Sequence, residues 1–176
     1  MRFGYGELDT FVGDIWEIAT QAFLCPITTD MRPVAGLGAD IARRAGPEIP
    51  RLLAEMTPVR LGSAVRTDAG SLRCKHLIHV AICTLAKPPE IYVFKDALQE
   101  ALRICQSGSI RSVAIPPMGF IEGKLAVRPI ASVFVRECLQ CLKVSKMPER
   151  MVCVVPSDYV DAVFREVIEE QVEELT

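Results

Sequence analysis

The sequence predicts an α/β layered fold on three observations. Strand-like and helix-like segments alternate from start to end. One nearly unbroken apolar run, His76 to Cys83, is of the kind found in central strands covered on both faces. The 176 residues suffice to bury a core without disulfides or metals, so one domain spanning 1–176 is expected.

Gly6 to Val12 reads as an opening strand, followed by Gly13-Asp14-Ile15 as a turn. Ala22 to Cys25 is a short apolar strand that Pro26 is expected to end, since proline cannot donate to a sheet ladder; a loop, Ile27 to Leu37, follows. Gly38 to Ala45 and Glu48 to Met56 read as a helical hairpin divided by Gly46-Pro47, a helix stop and a helix start. Ser63 to Asp68 and His76 to Cys83 are strand candidates. Ile91 to Gln106 carries Ala97, Leu98, Ala101, Leu102 and Cys105 on one stripe at helical spacing, and Ser107-Gly108 terminates it. Ser112 to Ile115 is a strand halted by Pro116-Pro117, and Met118 to Lys124 a glycine-containing loop. A helix from about Val127 to Leu142, a strand from Met151 to Val155 and a last helix complete the chain. Asp158 is expected to cap that helix, with Asp161 reaching back, and its acidic end to be solvated.

Composition narrows the function. The formal net charge is −2 and the pI near 5.8, so the long-range field that engages phosphate backbones is missing and DNA is not an expected partner. Charged residues interrupt every apolar run well short of the roughly 20 residues a membrane span needs, so no membrane is expected either. Met1 to Gly13 has one arginine and no apolar signal core, which points to the cytoplasm. The seven cysteines are an odd number set mostly in apolar stretches, as suits buried thiols in a reducing compartment. A mean hydropathy of +0.27 suggests an oligomer interface.

Two places share one arrangement: a short strand, a loop carrying glycines, then a helix. The first runs from Ala22 through Ala35-Gly36-Leu37-Gly38, the second from Ser112 through Gly119 to Gly123. Helix N-termini present unpaired N–H groups, and glycine admits an anion close to the backbone, so the pair would suit a diphosphate. Such turns also serve simply to shorten a connection. Neither Gly-x-x-x-x-Gly-Lys-Ser/Thr nor Gly-x-Gly-x-x-Gly is present.

Their order brings a family into view. Gly13-Asp14-Ile15, Gly36-Leu37-Gly38-Ala39-Asp40-Ile41 followed by Arg43-Arg44-Ala45-Gly46, Gly62-Ser63-Ala64 with Thr67 and Leu72, His76-Leu77-Ile78-His79, Ala114-Ile115-Pro116 leading to Gly119, and the strand before Ser157-Asp158 resemble a macrodomain over nearly the whole chain. The chain thus looks like a divergent member of the ADP-ribose-binding (Appr-1''-p processing) family. The resemblance implies a three-layer α/β/α sandwich with a central mixed, mostly parallel sheet, whose ligand is ADP-ribose or an ADP-ribosylated protein, with no cofactor and no metal. It implies that Asp14 accepts from the adenine amino group and that the Ile15 backbone contacts the base. Gly36, Leu37 and Gly38 would line the diphosphate and distal ribose on one side, and Gly119, Phe120, Ile121 and Glu122 on the other.

The chain departs from the family at several positions. Cys25-Pro26-Ile27-Thr28 replaces Asn-Ala-Ala-Asn, leaving the Thr28 hydroxyl to reach the distal ribose. The first loop keeps only Ala35-Gly36 of a Gly-Gly-Gly, and the aspartate of one hydrolase branch falls on Gly38, so no catalytic residue is assigned. Ile121 stands where many relatives have glycine, and Pro156 where an aromatic residue often stacks on adenine. Three readings stay open: a binding module for ADP-ribose or a related nucleotide, a hydrolase removing ADP-ribose or its terminal phosphate, and a non-binding assembly scaffold.

Other residues have plainer readings beside functional ones. His76 and His79, three apart in a strand, point to opposite faces and cannot share a metal ion. Cys138 and Cys141 fit a buried helix face better than half a zinc site, and Cys25 is either a core thiol or a reactive one beside the pocket. Asp14 could equally cap its own turn. The arginines at 43, 44, 51, 60, 66 and 73 either favour acidic ligands or form solvated faces balanced by the acidic last helix.

Overall fold

The computed structural model describes residues 1–34, 36–116, 118 and 126–176. Strands β1 (Arg2–Phe3), β2 (Gly6–Val12), β3 (Ala22–Thr28), β4 (Ala64–Asp68), β5 (His76–Cys83), β6 (Ser112–Ile115) and β7 (Arg150–Val155) make one 7-stranded sheet in the order β1-β2-β7-β6-β3-β5-β4. The ladders from β2 through β7, β6 and β3 to β5 are parallel, whereas β1 and β4 add to the two edges antiparallel. The helices among the described residues are α1 (Leu37–Ala45), α2 (Glu48–Met56), α3 (Ile91–Ser107), α4 (Val127–Val144) and α5 (Asp158–Leu175), with a single 3-10 turn at Ile15–Glu17.

Alternation along the strands assigns the two faces. Leu24, Ile78, Val80, Ile82, Val113, Ile115, Met151, Cys153 and Val155 join one core with α3, α4 and α5. Phe23, Cys25, Ile27, Leu77, Ala81, Ala114 and Val154 join a second with α1, α2 and Ile15. The result is a three-layer α/β/α sandwich around a mixed, mostly parallel sheet. No helix among the described residues is long and apolar enough to cross a membrane.

Pro26 does not end its strand. The β3 strand continues to Thr28, with Pro26 opposite Val80 of β5. The ladder to β6 stops at Phe23, and the Pro26 carbonyl accepts the Val34 N–H at 3.2 Å, so the proline's main-chain side faces a returning loop rather than a strand that needs its missing donor. The last helix also starts differently from expectation: Ser157 is the N-cap, its hydroxyl accepting the Val160 N–H at 3.4 Å, and Asp158 is the first helical residue. Asp161 does not reach back to the cap but accepts from Arg165 Nε at 2.6 Å. The acidic end of α5 is bridged to α4 by Arg128, which donates to Glu166 and Glu170, and not by the arginines of the first half.

All seven cysteines are buried. Burial pushes the Cys25 thiol up to about 12, so it is uncharged at neutral pH and behaves as core, not as a nucleophile. Cys138 and Cys141 lie on the buried side of α4.

Candidate functional site

The sheet opens at its centre. Strands β3 and β6 pair only at Ala22 with Val113 and Phe23 with Ala114, although β3 runs five residues further, to Thr28. From β3 the chain turns to α1 on one face, and from β6 it proceeds to α4 on the other, so the divergence is a topological switch point, where open α/β sheets leave a crevice at the carboxyl ends of their strands.

A cleft of about 260 Å³ occupies this end, lined by Gly13, Asp14, Ile15, Trp16, Gly36, Leu37, Asp40, Pro116, Val154, Val155 and Pro156. Five of the residues singled out from the sequence, Asp14, Ile15, Gly36, Leu37 and Pro156, therefore share one wall-to-wall space. Gly119, Phe120, Ile121 and Glu122 lie outside the described residues.

Each wall has a local cause. Gly13 adopts φ 146 beside Val155, whose carbonyl accepts its N–H, and a Cβ there would come within 2.7 Å of the Phe11 ring. Only glycine fits that conformation, and it turns the chain so that Asp14 stands exposed at the cleft while Ile15 drops into the core. The 3-10 turn is fixed by the Glu17 carboxylate, which accepts the Asp14 N–H at 3.1 Å.

On the opposite wall Gly36 has φ 80 and begins α1 with no side-chain cap. A Cβ on Gly36 would meet nothing within 4 Å, so its surroundings are open space. The Ala39 and Asp40 N–H groups are taken by the Val34 and Gly36 carbonyls, whereas those of Leu37 and Gly38 meet no acceptor among the described residues. They form the positive end of the helix at the cleft.

Gly38 and Thr28 stand behind this loop. Gly38 is buried, with the Pro26 carbonyl 2.7 Å from where a Cβ would sit, so a side chain would push α1 off the sheet. Thr28 is buried, and its hydroxyl accepts the Arg32 N–H at 3.2 Å, closing the turn that follows β3. Neither lines the cleft itself.

Asp40, which belongs to the Gly36–Ile41 motif, and Trp16, which belongs to none, also line the cleft, and neither was expected at the site. The Asp40 carboxylate is held by Arg43 at 2.6 Å. Trp16 packs edge-on against Phe23, with ring centroids 6.2 Å apart, and carries the Arg44 guanidinium over its ring at 4.4 Å. As the sole tryptophan, next to an aspartate in a glycine turn, it could have been flagged. No group of three or more His, Cys, Asp or Glu suited to a metal ion occurs among the described residues. The arrangement can thus take an elongated ligand with a hydrogen-bond donor at the Asp14 end and anionic oxygens at the start of α1.

Comparison with known proteins shows the family and the fold of the chain. The Macro domain family matches residues 26–134, more than half of the chain. An uncharacterized protein of Aquifex aeolicus is 30% identical over 154 residues, covering 83% of this chain and 93% of that one. An uncharacterized protein of Mycobacterium tuberculosis is 32% identical over 113 residues, 64% of this chain; this chain matches only 32% of that protein, about a third of its length. Among solved structures, the Oceanobacillus iheyensis macrodomain with ADP superposes with a TM-score of 0.88 at 17% identity, over 99% of this chain and 96% of that one. The Trypanosoma brucei macrodomain in complex with ADP-ribose gives 0.81 at 13% identity, over 92% of this chain and 68% of that one. A chain whose family match begins within β3, runs through α1 and ends within α4, and whose fold is shared with solved macrodomains from end to end, belongs to the macro domain family.

Proposed function

We propose that the chain is a binding module for ADP-ribose or a closely related nucleotide, free or attached to a protein, and that the cleft between Asp14 and the start of α1 is its site. The observation that carries this reading is the convergence of Asp14, Ile15, Gly36, Leu37 and Pro156 on one cleft at the switch point of the sheet. Two fold neighbours were solved with ADP and with ADP-ribose.

In this reading the Asp14 carboxylate accepts from the exocyclic amine of adenine, the Ile15 backbone meets the base edge, and Pro156 packs on its face. The N–H groups of Leu37 and Gly38 donate to the diphosphate and distal ribose oxygens, with Gly36 giving the close approach and Thr28 holding the loop from behind. Gly119 to Glu122 follow β6 in sequence and would complete the far side. Binding without turnover is the assignment because, of the two carboxylates lining the cleft among the described residues, Asp14 is committed to the base and Asp40 to Arg43.

Calorimetric titration with ADP-ribose tests the reading. One saturable site is expected, and Asp14→Ala should weaken it by about tenfold or more, the loss of one charge-assisted hydrogen bond. No heat with the unaltered chain, or equal affinity for the variant, overturns it.

A further inference from the structure

A hollow larger than the cleft lies beside it. About 480 Å³ is enclosed by Trp16, Ile18, Phe23, Arg44, Ser71, Leu72 and Arg73. Its lining holds two guanidiniums and no carboxylate, and neither Arg44 nor Arg73 has an ion-pair partner among the described residues. Both guanidiniums are therefore available to an anionic ligand.

The Arg44 group is also held in place. It lies over the Trp16 ring at 4.4 Å, which fixes the long side chain and leaves its N–H fork free to donate. Phe23, Ile18 and Leu72 supply an apolar floor, and Ser71 a hydroxyl. A planar ring system, an apolar floor and two unpaired forks suit a ligand with a flat body and phosphate oxygens. An acidic peptide would instead draw on main-chain donors and acceptors along an exposed strand edge, which this hollow does not offer.

Trp16 borders both spaces, and a third depression of about 320 Å³ continues from Trp16, Ile18 and Arg73 to Gln21 and Ser112. The depressions form a track from the Asp14 end of the cleft across the face that carries α1. We propose that the Trp16–Arg44–Arg73 hollow is a second subsite for a phosphate-bearing nucleotide unit, so that the chain engages ligands longer than one ADP-ribose. The proposal rests on the nucleotide reading of the cleft for the identity of the first unit, but the hollow has its own residues and can be tested apart from it.

Quenching of Trp16, the sole tryptophan, gives the readout. ADP-ribose, a linear dimer of ADP-ribose and a short 5′-phosphorylated oligoadenylate are titrated against the unaltered chain, Arg73→Ala, Arg44→Gln and Asp14→Ala. At least one longer ligand is expected to bind about tenfold or more tighter than ADP-ribose, through linked contacts at two subsites. Arg73→Ala should erase that gain while leaving ADP-ribose affinity unchanged, and Arg44→Gln should do the same if Trp16 keeps its packing. Which longer ligand shows the gain tells a polymer of ADP-ribose from a nucleic-acid strand. Equal affinity for short and long ligands, indifference to Arg73→Ala, or equally strong displacement by an oligoglutamate peptide overturns the subsite. If ADP-ribose fails to bind while the oligoadenylate binds through Arg73, the cleft reading falls and the subsite stands. Absence of binding by all three ligands defeats both.

Discussion

His79 is the clearest case of one residue setting a property of the whole chain. It sits in β5, almost fully buried, with Nε2 2.9 Å from the Thr67 hydroxyl, which in turn donates to the Asp68 carbonyl at 2.8 Å. The hydroxyl has one proton and spends it on Asp68, so His79 carries its own on Nε2 and leaves Nδ1 bare and without a partner. Charging the ring would place an N–H with no acceptor in the core, and burial pushes its pKa down to about 4. A folded-state pKa below the unfolded value means that the stabilisation is complete above about 6.5 and is lost as pH falls toward 4. Denaturant midpoints measured across that window are expected to fall by an amount equivalent to about 3 kcal/mol. His79→Leu should flatten the profile, and an unchanged slope in that variant would show that His79 is not the group responsible. The sequence made the opposite facing of His76 and His79 legible, because strand period alone decides it. It could not show that Thr67, on a different strand, would be the partner.

At the scale of elements, one aromatic group ties three helices to a common layer. Phe134 of α4 stacks on Phe94 of α3, centroids 6.4 Å apart, and meets Phe164 of α5 edge-on at 5.4 Å. All three are fully buried. Phe134→Ala is expected to cost about 3–5 kcal/mol of unfolding free energy, since its neighbours lie on separate helices and cannot all close the void. A loss under about 1 kcal/mol would mean that the layer repacks. Most of these elements could be read from the chain, with β2, α2, β5 and β6 matching their sequence-derived limits, because hydrophobic period and the flanking glycine or proline agree there. Two positions differ from the sequence-derived limits, each for its own reason. Whether Pro26 breaks a strand depends on what lies beside it, and whether Ser157 or Asp158 caps a helix depends on the turn that precedes it. The neighbours of Pro26 lie on β5 and the returning loop, away from it in the chain, whereas the turn before Ser157 adjoins it and its geometry is what the residue types alone left undecided.

For the whole molecule, the proposed function rests on where the sheet divides. The residues of the cleft come from the turn after β2, the start of α1, Pro116 after β6 and the end of β7, segments far apart in the chain. A family resemblance gathered Asp14, Gly36, Leu37 and Pro156 from the sequence, but the neighbouring hollow was illegible. Trp16, Arg44 and Arg73 meet only because the segment from β2 to β3 crosses the α1 face of the sheet, and no local pattern encodes that crossing. The 26–134 span of the family match likewise omits the turn after β2 and the end of β7, although both supply walls of the cleft.

Amide chemical-shift mapping during titration with ADP-ribose addresses the cleft most directly, since it reports position as well as affinity. Shifts are predicted to concentrate at Asp14, Ile15 and Trp16 and at Gly36 to Gly38, with α3 and the outer side of α4 silent. Shifts centred on the α3–α4 side of the sheet, or none at saturating nucleotide, would contradict the placement of the ligand between Asp14 and the first turn of α1.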